Sequence, residues 1–297
     1  MLQAATLILL LFGGCITGCT IVRYHLLLRY NRRETHKTLA AGPGVEKFSL
    51  TLLYFLLLGF ITAFTHTLFW NVTPVCSLVA STFFLCSLFI FFAVNTQMNM
   101  AVKLRLKTME LMRTVVNAID MKDAYTKGHS EHVQKLVALL YGQLDDALKA
   151  GINKPRLLDA ALLHDCGKIG VRDGVLNKPG RLTRGEWADM KSHPLTGKKM
   201  LDDTCFSDIS DWVLYHHERI DGKGYFGLEG DEIPIESRMI SIADTYSALT
   251  TNRIYRPRLS HEETIGIMRA ATGSQFDASL MEFFLKIHQQ ALDRIHP

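Results

Sequence analysis

Three long runs of apolar residues without a single charge dominate the first third of the chain. They cover residues 2–22, 48–70 and 74–94. An α-helix rises about 1.5 Å per residue, so each run is long enough to cross the roughly 30 Å of hydrocarbon in a bilayer. The pattern predicts three transmembrane helices, with a short connection at 71–73. A cleaved signal peptide is the alternative for the first run, but no Lys or Arg precedes it, and it is longer than a signal core.

The remaining chain has apolar residues at helical spacing. Residues 95–116 predict a linker helix, whose apolar stripe packs on the next domain or on a partner helix, a coiled-coil dimer being one arrangement. Residues 117–297 are long enough for a domain with its own core, and they show neither a long alternating strand pattern nor βα units. The predicted fold class is all-α, with three N-terminal transmembrane helices followed by a helical domain. The apolar stripe of the predicted linker helix consists of Val102, Leu106, Met109, Met112 and Val116.

Composition supports a chain with a membrane part and a soluble part. Hydrophobic residues make up 48% of the sequence, so the chain is too apolar for an average soluble domain. Yet 21% of the residues are charged. The six cysteines form no CxxC pair, so we expect a reducing compartment for the soluble part. No basic stripe with interleaved aromatic residues occurs, and neither DNA nor RNA binding is expected.

The distribution of charge predicts how the chain is oriented in the membrane. Basic residues accumulate on the cytoplasmic side of membrane proteins, and two basic clusters flank the apolar runs. Both clusters lie on one side if the chain crosses three times, which places the amino terminus outside and residues 95–297 in the cytoplasm. The clusters are Arg23, Arg29, Arg32, Arg33, Lys37 and Lys47, opposed only by Glu34 and Glu46, and then Lys103, Arg105 and Lys107.

Metal-binding residue types recur where the apolar faces of the domain helices should be. His129, for example, is in register with Val133 and Leu136, and Asp165 is in register with Ala161. Each residue taken alone can be explained without a metal ion. For His129 alone, an ordinary buried core histidine is the better interpretation. Together they would all have to be buried and satisfied separately, whereas one metal site explains them at once. The seven residues are His129, His164, Asp165, His193, His216, His217 and Asp244.

The segments "HDCGKIG" and "HHERIDGKGYF" resemble the HD-GYP family of bacterial phosphodiesterases, which degrade cyclic di-GMP. The resemblance extends over "KDAYTKGHSEHV", "LNKPGRLT", "MKSHPLTG", "SRMISIADTYSALTTNRIYR" and "GSQFD", and so covers nearly all of residues 117–285. It implies an α-helical domain with a centre of two or three metal ions held by the seven residues named above. It also implies catalytic roles for Asp165, which would bridge metal ions, and for Lys168, which would contact substrate phosphate.

Several positions refine what the resemblance implies. Lys168 and Tyr225 are the candidate substrate contacts. Some relatives with a third metal ion have a glutamate four positions before the first histidine. This chain has Tyr125 there, which favours two divalent ions. Imidazole and carboxylate ligands suit iron or manganese. Glu218 and Asp221 match the signature and are expected to orient ligands or shape the loop.

The chain departs from the family pattern at three positions. Phe226 stands in place of the signature proline, His132 in place of an arginine, and Ser247 in place of an aspartate. None of these changes removes a predicted metal ligand. His132 is expected to be a packing or surface residue.

These observations predict a membrane-anchored, metal-dependent cyclic di-GMP phosphodiesterase in the bacterial inner membrane, with its C-terminal domain in the cytoplasm. A homodimer, a diguanylate cyclase or another signalling protein are the candidate protein partners. A receptor or interaction module that keeps the metal centre without turnover is the alternative from another class. A phosphodiesterase for cyclic GMP-AMP or another phosphate ester is the alternative with the same chemistry.

Overall fold

The computed structural model describes residues 1–34, 43–70, 72–123, 128–251 and 257–295. The chain divides into two compact units, Met1–Met109 and Glu110–Pro297. Tyr125, where a glutamate would favour a third metal ion, lies outside the described residues.

The first unit is built from long apolar helices. Helix α1 covers Leu2–Glu34, α2 covers Pro43–Phe69, and α3 covers Pro74–Lys122. All three are long and apolar enough to cross a membrane, as the hydropathy pattern predicts. The ring of Phe60 packs against Leu10 and Ala80, while many other large apolar side chains of this unit are exposed. Exposed apolar side chains of this kind suit contact with lipid.

The third apolar run and the predicted linker form the single helix α3. No proline or glycine follows Pro74 within it, so nothing in the sequence interrupts the backbone hydrogen bonds. Met112 and Val116 are buried, but Val102 and Leu106 are exposed. Within this chain only the second half of the stripe is packed; packing of the first half on a partner helix stays a prediction.

The second unit is helical, with no strand among the residues the structure describes. Short 3-10 helices lie at Cys166–Gly170, Ser207–Ile209 and Gly230–Glu232. The α-helices after α3 are α4 (His129–Gln143), α5 (Asp146–Gly151), α6 (Lys154–Leu163), α7 (Asp173–Leu176), α8 (Arg184–Met190), α9 (His193–Asp202), α10 (Ser210–Leu214), α11 (Ile235–Thr250), α12 (His261–Ala270), α13 (Ala278–Leu285) and α14 (Gln289–Asp293).

Helix α4 forms the centre of the core and packs against α6 and α11. Val133, Leu136, Val137 and Leu140 are completely buried, at the spacing that puts apolar residues on one face of a helix. His129 begins the same helix and is also buried. His129 therefore lies on the core side of α4, as its register predicts, facing the helices that pack there.

Two ligand-bearing segments begin or end at helix boundaries. α8 ends at Met190, and His193 begins α9, with Pro194 in its first turn. Proline is favoured in the first turn of a helix because its missing N–H has no acceptor there. The apolar register predicts a helical face for His216, yet α10 ends at Leu214, and His216 and His217 lie in the following turn.

Candidate metal centre

The seven predicted ligands lie together in the second unit. Their side chains form three overlapping groups, and within each group the ligand atoms are all within 4.8 Å of one another. The helices that meet at the core thus bring together residues separated by up to 115 positions in the sequence. The groups are His193 with His216 and His217, His129 with His164 and Asp244, and His164 with Asp165 and His216.

Asp165 lies between the histidine groups. Its Oδ1 is 3.3 Å from Nε2 of His193, and its Oδ2 is 3.3 Å from Nε2 of His164. Nε2 of His129 is 3.9 Å from the same Oδ2 and 3.0 Å from Oδ1 of Asp244. The two oxygens of one buried carboxylate therefore face two different sets of imidazoles.

Three of the histidines are oriented by the backbone. Their Nδ1 atoms donate to the carbonyl oxygen three residues earlier, at 2.8 Å for His164 and His193 and 2.6 Å for His216. A neutral imidazole that donates through Nδ1 has a lone pair on Nε2. The Nε2 atoms of all three are buried without a hydrogen-bond partner. Lone pairs that face carboxylate oxygens are satisfied by a cation between them, so these residues fit a metal ion.

Charged groups around Asp165 stabilise one another. Burial favours the neutral form of Asp165, but Lys168 and His164 outweigh it and hold the pKa of this carboxyl well below its usual range. Burial also opposes the charged form of His164, yet Asp165 raises its pKa to about 9. The Asp165 carboxylate therefore favours positive charge beside it, which is the charge that a metal ion would supply.

The two adjacent histidines are neutral at physiological pH. Burial lowers the pKa of His216 well below its ordinary value, and the neighbouring His217 lowers it further. Burial and His193 lower the pKa of His217 to about 4. Both rings therefore offer lone pairs to a metal ion without first losing a proton.

Lys168 reaches the centre from the short 3-10 helix after Asp165. Its Nζ lies 2.7 Å from Oδ2 of Asp165 and 3.2 Å from Oδ2 of Asp123. Burial opposes its charge, but the two carboxylates raise the pKa of Lys168 above its ordinary value. The ammonium group stays charged beside the predicted ligands. Reasoning from the sequence missed Asp123, although it lies in the quoted "KDAYTKGHSEHV" segment.

The segment that carries Lys168 is fixed from two sides. Lys122 donates from Nζ to the carbonyl oxygens of Ile169 at 2.7 Å and Val171 at 2.6 Å. On the other side, Gly167 packs so closely on α9 that a Cβ atom there would lie 1.9 Å from the carbonyl oxygen of His193. Only glycine fits, which explains this residue of "HDCGKIG".

Glu218 shapes the loop that follows the two histidines, as predicted. Its buried carboxylate accepts hydrogen bonds from the backbone N–H groups of Phe226, Gly227 and Leu228, at 2.7, 2.9 and 2.8 Å. A Cβ atom on Gly224 would lie 2.6 Å from Cα of Glu218, so the loop closes tightly over this side chain. Phe226 donates one of these bonds, which a proline at that position could not make.

Tyr225 lies at the edge of the centre. Its ring centroid is 4.8 Å from that of His217, and Nζ of Lys191 lies 5.1 Å from the ring centroid on its face. Burial raises the pKa of Tyr225 to about 12, so its hydroxyl stays protonated and can donate a hydrogen bond. Asp221 is different, because it pairs with Arg219 at 2.8 Å and belongs to none of the ligand groups.

We expect Glu218→Gln to loosen the loop while leaving the metal ligands in place. An amide offers one acceptor oxygen, and its NH2 group faces a backbone N–H, so about 2 kcal/mol of stability should be lost. Thermal unfolding and metal analysis of the purified chain measure both effects. Glu262→Gln, at an exposed position in the first turn of α12, is the matched control. Unchanged stability in Glu218→Gln would contradict the role assigned to this carboxylate.

Two of the three departures from the family pattern contact each other. His132 is buried, which agrees with the first of its two predicted roles, packing rather than surface exposure, and its Nδ1 lies 2.9 Å from Oγ of Ser247. The same Oγ lies 2.9 Å from Nδ1 of His129. The third departure, Phe226, is 42% exposed at the loop surface.

Comparison with known proteins agrees with this picture. A probable cyclic di-GMP phosphodiesterase of Vibrio cholerae is 36% identical over 189 residues, which are 59% of this chain and 43% of that protein. A cyclic di-GMP phosphodiesterase of Pseudomonas aeruginosa is 40% identical over 171 residues, or 55% and 39% of the two chains. A 3'3'-cGAMP-specific phosphodiesterase of Vibrio cholerae is 37% identical over 154 residues, or 50% and 32%. The chain spans less than half the length of these relatives.

The sequence also matches the HD domain family over residues 113–280, more than half of the chain. Membership of this family implies binding of divalent metal ions, which agrees with the chemistry of the clustered imidazoles and carboxylates. The chain therefore belongs to the HD domain family, and the resemblance of its motifs to the HD-GYP proteins is confirmed.

Proposed function

We propose that this protein is a membrane-anchored, metal-dependent phosphodiesterase that hydrolyses cyclic di-GMP. The observation that carries the proposal is the position of Asp165, whose two oxygens face different imidazole groups at 3.3 Å. A carboxylate in this position could hold two cations close together, and paired cations would be suited to displacement at phosphorus.

We assign two divalent ions to the centre. One would be held by His193, His216 and His217, with Asp165 shared between the two ions. Iron or manganese fits a donor set of imidazole nitrogen and carboxylate oxygen. Such ions lower the pKa of water and polarise phosphoryl oxygens. The second ion would be held by His129, His164 and Asp244.

The chain's own residues supply charge and orientation for the substrate. Lys168 keeps a positive charge next to Asp165, where it can stabilise the negative charge that grows on a phosphoryl group. Tyr225 keeps its hydroxyl proton and lies beside His217, where it can donate to a phosphate or a base edge. Both residues are therefore assigned to substrate binding, and Lys168 also to catalysis.

Cyclic di-GMP and cyclic GMP-AMP are the two substrates to compare. Relatives named for each of them match this chain at similar identity. The experiment measures kcat/KM for both dinucleotides with the full chain, loaded with iron or manganese under anaerobic conditions. We expect the higher value for cyclic di-GMP. A higher value for cyclic GMP-AMP would reassign the substrate, and tight binding without hydrolysis of either would indicate a receptor.

We further propose that the three apolar helices anchor the protein in the bacterial inner membrane, with the HD domain in the cytoplasm. The proposal rests on the two basic clusters that flank the apolar runs. Reporter fusions after Lys37 and after Pro297 should both give cytoplasmic signals, and a fusion after Asn71 should give an external one. A signal from the opposite side at either of the first two points would contradict this topology.

A further inference from the structure

His129 is held differently from three other histidines of the metal centre. His164, His193 and His216 each donate from Nδ1 to the carbonyl oxygen three residues earlier. His129 is the first residue of α4 and follows Gly128, which has a left-handed backbone conformation. Its own helix begins with this residue, and the hydrogen bond described for its Nδ1 is made with a different helix.

Ser247, on α11, is the described partner of this nitrogen. Its Oγ lies 2.9 Å from Nδ1 of His129, and the serine is completely buried. It follows Asp244 by three residues on α11, which places both side chains on the same side of that helix. Since Oδ1 of Asp244 lies 3.0 Å from Nε2 of His129, one helix contacts both nitrogens of the ring.

The proton on the ring decides what His129 can bind. A cation at Nε2 requires the lone pair of that atom, so the ring proton must then lie on Nδ1. Nδ1 needs an acceptor in that state, and Oγ of Ser247 is at hydrogen-bond distance.

His132 completes the contact. A hydroxyl group donates one hydrogen bond and can accept two. When Oγ of Ser247 accepts from His129, its own proton can be donated to Nδ1 of His132, also at 2.9 Å. The three side chains then form one directed chain of hydrogen bonds, which runs from His129 through Ser247 to His132.

We propose that Ser247 is a positioning residue for His129, which it orients and holds with its proton on Nδ1, so that Nε2 is available to a divalent ion. His132 orients the serine hydroxyl. Ser247 thus does for His129 what helix carbonyl oxygens do for the three other histidines. The inference rests on the proposed metal centre, and it assigns a joint task to two residues at which the chain departs from the family pattern.

Metal affinity tests this role without relying on activity. The full chain in detergent is stripped of metal and titrated with Mn²⁺ in competition with a chromophoric chelator. Groups that orient a ligand typically contribute 10- to 100-fold to metal affinity. Ser247→Ala should therefore bind one of its ions about 10- to 100-fold more weakly, while Ser247→Thr, which keeps the hydroxyl, should stay close to wild type.

Ser237→Ala is the matched control. Ser237 is equally buried on the same helix, and its Oγ donates to the backbone carbonyl oxygen of Trp212 at 2.9 Å rather than to an imidazole. It should lose stability on thermal unfolding without losing affinity for Mn²⁺. Equal affinities in wild type and Ser247→Ala, or equal losses in Ser247→Ala and Ser237→Ala, would overturn the inference. A wild-type chain that binds no Mn²⁺ would instead overturn the proposed metal centre.

Discussion

Asp165→Ala should lose both metal ions and hydrolyse cyclic di-GMP no faster than background. The carboxylate of Asp165 faces His193 with one oxygen and His164 with the other. Without it, two cations would lie close together among buried imidazoles with too little negative charge to hold them. Since the bound ions supply several kcal/mol of transition-state stabilisation, we expect the rate to fall by roughly three orders of magnitude or more.

Metal analysis after anaerobic purification, together with single-turnover hydrolysis, measures this effect. Asp277→Ala is a suitable control, because Asp277 pairs with Arg238 and caps α13 through the backbone N–H groups of Ser279 and Leu280. It should lose about 1 kcal/mol of stability and keep its metal. A fully loaded and fully active Asp165→Ala protein would show that this carboxylate bridges nothing.

Lys168→Ala should keep both ions but lose turnover. The ammonium group contacts Asp165 and Asp123 but is not itself a metal ligand, so its removal takes no ligand atom from the centre. If it stabilises charge that grows on the phosphoryl group, kcat should fall by about 10²- to 10³-fold. Equilibrium binding of the nucleotide should weaken much less, because the ground state carries less of that charge.

Single-turnover rates, metal content and nucleotide affinity of the same preparation separate these effects. Lys199→Ala is the matched control, since Lys199 is an exposed lysine on α9. It should behave like the wild type in all three measurements. Loss of metal from Lys168→Ala, or equal losses in binding and turnover, would contradict a role for Lys168 in the transition state.

The sequence contains most of the information about which residues come together at the candidate centre. Helical register places His129 and Asp165 on buried faces, and a charge buried without a partner is costly. Such residues must therefore meet one another or a cation. The structure brings all seven predicted residues together, in agreement with that physical argument.

Register arguments fail where a helix ends. They assume that a helix continues, but α10 ends at Leu214 and leaves His216 and His217 in a turn. The contact between His129 and Ser247 joins two helices 118 residues apart, and no local pattern encodes such a contact. In the sequence the only sign of this contact is that Ser247 and His132 differ from the residue types usual in the family at those positions.

The membrane part is predictable for a different reason. Length and apolarity alone determine whether a helix can cross a bilayer, and α1, α2 and α3 meet both conditions. Which side chains of a long helix are covered depends instead on its neighbours, so the exposure of Val102 and Leu106 could not be read from spacing.

A homodimer and a diguanylate cyclase partner stay predictions from the sequence.

Hydrolysis of cyclic di-GMP as a function of bound metal tests the central claim most directly. The full chain, purified anaerobically, is stripped of metal and then reloaded stepwise with iron or manganese, and single-turnover rates are measured beside metal content. We predict no hydrolysis by the stripped protein and a rate that rises with loading to a plateau at two ions per chain. Hydrolysis that is unchanged in the stripped protein, or absent from the fully loaded one with either metal, would contradict the account.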